Sequence, residues 1–224
     1  GVCTRIPHEI ITQKDYPEHC DGMSCYDEAL LVGLEETLAS LTQDTIIVLH
    51  TIGSHGPTYF KRYPDHFKQF TPTCDTAEIQ SCSQEEIRNT YDNTILYTDH
   101  IIASTIDILE SFPQYESGLL YISDHGESLG ENNLYLHGLP YSIAPKEQTE
   151  VPMIFWFSQK MIDNDYLDQN CLQMRAKHDS FSHDHLFHSL LSLLELKSDT
   201  YDKNLDIFEG CRTYHQDPRL TITP

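Results

Sequence analysis

The stretch YISDHGESLGENNLYLHGLPY, residues 121–141, sets Asp124 and His125 at the end of an apolar run and brings His137 into the same Gly- and Asn-rich segment. A carboxylate oxygen and an imidazole nitrogen are ligands that zinc accepts, and the end of a strand would fix the backbone that carries them. The Ser-Asp-His-Gly turn taken alone also fits a plainer role, in which the aspartate caps a turn and the histidine bonds a carbonyl. Glu127 and His137 follow in the same segment, and His55 lies in a second loop, TIGSHGP, residues 51–57, broken by Gly and Pro. Charged residues seldom gather in strand-end loops without partners, so this set points to a metal or phosphoryl site. His50, closing the apolar run TIIVLH, reads as a core or supporting histidine. Lys61 and Arg62 read as a solvated face, and Tyr59, Phe60, Tyr63, Phe67 and Phe70 as packing.

The elements that must position these residues are legible as alternating patterns. Apolar runs at 45–50, 118–123 and 151–157 predict three buried strands. Leu30, Leu31, Leu34 and Leu38 predict an amphipathic helix over 27–40 behind an acidic first turn. Ser83 and Glu86 predict a capping box that opens the longest helix, with Ile87, Tyr91, Ile95, Ile102, Ile106 and Leu109 as its stripe and Pro113 as its stop. Ser182 or Asp184 is expected to cap a last helix through LFHSLLSLLEL. Strands alternating with helices predict an α/β fold, a mostly parallel sheet with helices on both faces. Chemistry in such sheets collects at the carboxyl ends of strands, where both histidine loops begin.

A chain of 224 residues suits one α/β domain, 1–224. No window approaches the length of a membrane span, and the first residues have no signal-peptide core. Fourteen Lys plus Arg against 35 Asp plus Glu give a formal charge of -21, which argues against a nucleic-acid partner, because backbone binding needs clustered cations. An anionic substrate would need a local counter-charge such as a metal. Seven cysteines include Cys20/Cys25 and Cys74/Cys82 at loop-closing separations, with Cys171/Cys211 closing a longer loop. C-x2-C pairs of the zinc-ribbon kind are absent, so the pairs read as disulfides formed in an oxidising compartment such as a periplasm. Cys3 is left over, which places its partner upstream of Gly1.

The segments VLHTIGSHGPTYFKRYP, FTPTCDTAEIQSC, NTYDNTILYTD and YISDHGESLGENNLYLHGLPYSIAPKEQTEVP, in this order, resemble the catalytic domain of the lipid A phosphoethanolamine transferases, the family that includes the mobile colistin resistance enzymes. The resemblance implies the periplasmic domain of a bacterial inner-membrane protein with an alkaline phosphatase/sulfatase-like fold. It implies zinc-dependent transfer of phosphoethanolamine from phosphatidylethanolamine to lipid A, which lowers surface negative charge and its attraction for cationic polymyxins. Asp124 and His125 match two zinc ligands of that family. His55, Glu127 and His137 match residues that surround the transferred phosphoryl group or bind additional zinc, and so are the expected catalytic and substrate-binding set. The family's other zinc ligands, a Glu and the nucleophilic Thr, have no matching motif between Gly1 and Pro224. The resemblance therefore implies that an N-terminal portion of the domain is missing from this sequence, along with the membrane domain through which the protein contacts the bilayer, and that residues 1–224 alone are inactive. Cys3 matches a family cysteine whose partner lies a few residues upstream. The alternatives are a sulfatase-like or phosphoglycerol-transferring relative and, from another class, a non-catalytic zinc-binding module.

Overall fold

A computed structural model describes residues 6–22, 24–164 and 167–212; Cys3 lies outside the described residues. The helix expected over 27–40 divides in two: a 3-10 helix, Asp27–Leu31, and α1, Leu34–Ala39. Gly33 stands between them at φ +78°, a left-handed conformation that glycine adopts without steric cost.

The run 45–50 forms no strand. A β-branched segment becomes a strand only when another strand takes its amides and carbonyls. Among the described residues none does, and Ile46 and Val48 are left 59% and 62% exposed. His50 is exposed with them, so it is not a core histidine.

Helix α2, Gln84–Glu110, begins with the expected capping box: the Ser83 side chain accepts the Glu86 amide, and the Glu86 carboxylate accepts the Ser83 amide. Its buried face differs from the expected stripe. Ile87, Thr90, Asn93, Thr94, Tyr97, Ile101 and Thr105 are buried, whereas Ile95 is 47% exposed. Polar residues occupy this face because they serve the 69–74 loop. Thr90 Oγ1 accepts the Cys74 amide at 2.7 Å, and Asn93 Oδ1 accepts the Gln69 and Phe70 amides at 2.9 Å each. A buried polar side chain so satisfied adds little cost and fixes the loop's path.

Strand β1, Gly118–Ile122, precedes a short antiparallel hairpin of β2, Ser128–Leu129, and β3, Tyr135–Leu136, within the segment read as a loop. After α3, Lys146–Thr149, comes β4, Met153–Phe157, the neighbour of β1 in a two-stranded sheet. Among the described residues, helices α4, Gln159–Asn164, α5, Gln169–His178, and α6, Asp184–Leu193, follow, with a 3-10 helix at Lys203–Leu205. Neither expected residue caps α6; its N-cap is His183, and Ser182 Oγ instead accepts the Asp184 amide at 3.3 Å. Among the described residues no helix is long and apolar enough to cross a membrane.

The chain divides into two compact units. The first comprises residues up to Phe112 together with Tyr121–Met153, and the second Pro113–Leu120 together with residues from Ile154 onward. In the first unit α2 is the spine of two apolar clusters. One gathers Tyr59, Cys74, Ile79 and Ile87 with Leu129, Tyr135 and Leu136; the other gathers Tyr63, Tyr97 and Ile101 with Tyr26 and Phe67. Disulfides Cys20–Cys25 and Cys74–Cys82 close loops in this unit. In the second unit Phe155 and Phe157 meet Phe208, and the disulfide Cys171–Cys211 joins α5 to the segment that follows α6. On the chain-entropy model a loop of that length stabilises by about 4 kcal/mol, and each of the short ones by about 2–3 kcal/mol.

Candidate metal centre

The first unit brings His55, His125 and His137 together: one ring nitrogen from each lies within 4.8 Å of the other two. The rings of His125 and His137 stack at 3.9 Å between centroids, and His55 stands edge-on to both. Every Nδ1 faces an acceptor. His55 Nδ1 lies 2.7 Å from the Gly56 carbonyl, His125 Nδ1 3.1 Å from the Gly126 carbonyl, and His137 Nδ1 3.0 Å from Glu127 Oε1. A carbonyl or a carboxylate can only accept, so the proton of each neutral ring sits on Nδ1 and the lone pair on Nε2. An unprotonated ring nitrogen in so small a group of histidines is a ready ligand for a cation. A ligand nitrogen whose partner nitrogen donates to a carbonyl or carboxylate is the usual support of a metal-binding histidine. The residues present therefore fit zinc.

Asp124 stands beside His125 at the surface. Its side chain is 89% exposed, and Oδ1 lies 3.8 Å from His125 Nε2 while accepting the His125 amide at 3.0 Å. The plainer turn-capping role thus coexists with a carboxylate free to meet a cation. Glu127 is placed differently. Only 3% of its side chain is exposed, and its oxygens accept the Gly56 amide, the Tyr59 hydroxyl and His137 Nδ1, all within 3.1 Å. Burial, together with the neighbouring Glu127 carboxylate, pushes the Tyr59 hydroxyl far above its ordinary pKa and keeps it a donor.

Residues that the sequence left in other roles position the His55 loop. Asp27, read as part of an acidic helix turn, is buried and accepts the amides of Ile52 and Gly53 at 2.7 and 2.8 Å. Burial raises its pKa, and the two amides act in the opposite direction. Arg62, read as solvated, donates from Nε to the His55 carbonyl at 2.8 Å and from its guanidinium to Thr58 Oγ1 at 3.1 Å. The hydroxyls of Ser54 and Thr94 are hydrogen-bonded at 2.6 Å. The signal that could have found Asp27 is its place beside an apolar helix face, where an acid needs donors.

The sulfatase family profile matches residues 4–196. The chain belongs to the sulfatase family. It is 50% identical over 213 residues to the phosphoethanolamine transferase EptA of Escherichia coli strain K12, an alignment covering 95% of this chain and 39% of that protein. It is 45% identical to the soluble domain of lipooligosaccharide phosphoethanolamine transferase A from Neisseria meningitidis, with a TM-score of 0.90, covering 96% of this chain and 64% of that one. The C-terminal periplasmic domain of EcEptC from Escherichia coli, solved in complex with Zn, aligns at 25% identity with a TM-score of 0.63, covering 86% of this chain and 54% of that one. The mixed helix-and-sheet fold expected from the sequence is the fold of these transferase domains. The chain spans well under half the length of EptA.

Proposed function

We propose that this chain is part of a zinc-dependent transferase that moves phosphoethanolamine from phosphatidylethanolamine to lipid A at the periplasmic side of the inner membrane. The observation that carries the reading is the convergence of three imidazoles, each with Nδ1 beside a carbonyl or carboxylate oxygen. The transferase names of the relatives and the Zn complex of one of them support it. Asp124 and His125 would hold zinc, which supplies positive charge that polarises a phosphoryl oxygen and lowers the pKa of a bound nucleophile.

The chain's own residues do the rest. His55 and His137 present Nε2 toward the phosphoryl group or a further zinc, and either ring, once protonated, can deliver a proton to a leaving oxygen. Glu127 keeps His137 in the right tautomer and, through the Gly56 amide, ties its position to that of His55. The nucleophilic threonine and remaining ligands are supplied by a segment outside these 224 residues, so this stretch alone is inactive. Moving the ethanolamine headgroup onto lipid A lowers its negative charge and hence its attraction for polymyxins.

Mass spectrometry of lipid A from cells carrying the full-length gene tests the reading. The expected product is lipid A heavier by one phosphoethanolamine, absent with Asp124→Ala or His125→Ala. Unmodified lipid A with the parent gene, or lipid A bearing phosphoglycerol, contradicts it.

A further inference from the structure

Among the described residues, the two-rung ladder of β2 and β3, Ser128 to Leu136 and Leu129 to Tyr135, is the sheet that joins the His125 segment to His137. So short a hairpin is marginal without outside support. It also contains strained backbone. Asn132, Asn133 and Leu136 have φ of 53°, 63° and 64°, and Leu136, immediately before His137, has no short polar side chain to ease that conformation. A residue held there persists only where its surroundings over-determine it.

Besides the pairing with Ser128 and the apolar cluster around Tyr59, one polar side chain supplies those surroundings. Gln148, at 6% exposure, donates from Nε2 to the Leu136 carbonyl at 3.0 Å and to Ser128 Oγ at 2.9 Å, and its Oε1 accepts the Leu139 amide at 3.4 Å. Its own carbonyl accepts the Gly126 amide at 3.0 Å. Gly126 must be glycine for this approach, because a Cβ there would stand 2.1 Å from the Glu147 carbonyl oxygen. One buried amide therefore grips the residue before His137, the second residue after it and the β2 end of the His125 segment. Glu127 determines which way the His137 ring faces, and nothing in that contact determines where the backbone of His137 stands.

We propose that Gln148 is a positioning residue, which sets the distance of His137 from His125 by holding Leu136 in its left-handed conformation. This rests on the reading that His137 acts on the phosphoryl group beside a zinc at Asp124 and His125. Gln148→Met keeps length and packing and removes all three side-chain hydrogen bonds; Gln148→Glu, which keeps the acceptor for Leu139 and loses the donors, serves if the first variant does not fold. Asn93→Ala is the control, because Asn93 is also buried, with four side-chain hydrogen bonds, but serves the 69–70 turn.

The experiment uses the full-length, zinc-loaded protein and measures zinc content, affinity for inorganic phosphate by calorimetry, and kcat and KM for transfer. The expected result for Gln148→Met is parental zinc content, phosphate affinity about 10-fold weaker and kcat lower by about 10-fold or more, at the scale seen when groups supporting a site are removed. Asn93→Ala is expected to lower Tm with phosphate affinity and kcat unchanged. Parental phosphate affinity and kcat in the Gln148 variants overturn the inference alone, as does an equal loss in Asn93→Ala. Loss of zinc together with phosphate also overturns it, since Gln148 would then support the whole fold. A parent protein that binds neither zinc nor phosphate overturns the functional reading and this inference together.

Discussion

The loop carrying His55 is held largely by residues distant from it in sequence, with one from the next turn, whereas the segment carrying His125 and His137 is held by its own members and by the short helix that follows. Asp27, Thr94 and Arg62 anchor residues 52–55 from the 3-10 helix, from α2 and from the next turn. Glu127, the β2–β3 ladder and Gln148 anchor residues 126–139. The first arrangement relies on charged groups taken out of water, so it is sensitive to pH. The second relies on neutral amides and one buried carboxylate in fixed geometry, so it is sensitive to single-atom changes. The two loops meet at Glu127, whose Oε1 accepts both the Gly56 amide and His137 Nδ1.

The largest expected effect follows from that junction. Glu127→Gln changes one atom, but an amide can turn its NH2 toward His137 and favour the tautomer with the proton on Nε2. Transfer is expected to fall by about 100-fold, at the upper end for loss of such a partner, while zinc content stays at the parental level. Rate and elemental analysis on the same sample check this. Parental activity in the variant would break the claim that the two loops share one support.

A smaller effect separates the loops by pH. Asp27→Asn leaves one oxygen for two amides and is expected to destabilise the protein by about 1–3 kcal/mol. The folded protein raises the Asp27 pKa above its ordinary 3.8, with burial as the main cause. A raised carboxyl pKa means that the folded state binds the proton more tightly than the unfolded one. Its contribution to stability is therefore fully present below pH 3.8 and is lost as pH rises through the folded value. The Tm deficit of Asp27→Asn against the parent should shrink as pH is raised from the acid side, in thermal melts at a series of pH values. A deficit that grows with pH would contradict the assignment of burial as the dominant influence.

This contrast also explains what could be read from the sequence. Asp124, His125, Glu127 and His137 stand within one short segment, so residue type and spacing single them out as candidates. The capping box at Ser83 and the strands at 118–123 and 151–157 were legible because local hydrogen bonds and apolar runs define them. The supports were not legible. Asp27 and Arg62 act across the fold, and an acid at a helix start or a base beside a lysine looks like surface until its partners are known. The run 45–50 misled for a related reason: strand formation is a property of a pair, and a sequence pattern describes one member. The buried face of α2 was misjudged because Thr90 and Asn93, polar by type, are satisfied by loop amides that periodicity does not reveal.

The central claim is that His55, His125 and His137 each hold their proton on Nδ1 and offer Nε2 to a shared point. Long-range nitrogen–proton NMR of the imidazole rings in the full-length protein, without and with zinc, tests it directly, with the three residues assigned through single His→Gln variants. The account predicts Nδ1–H tautomers for all three without metal and, on adding zinc, a coordination shift at His125 Nε2 with the Nδ1 protons retained. An Nε2–H tautomer at His125 or His137, or zinc that leaves the His125 ring unchanged, would contradict it.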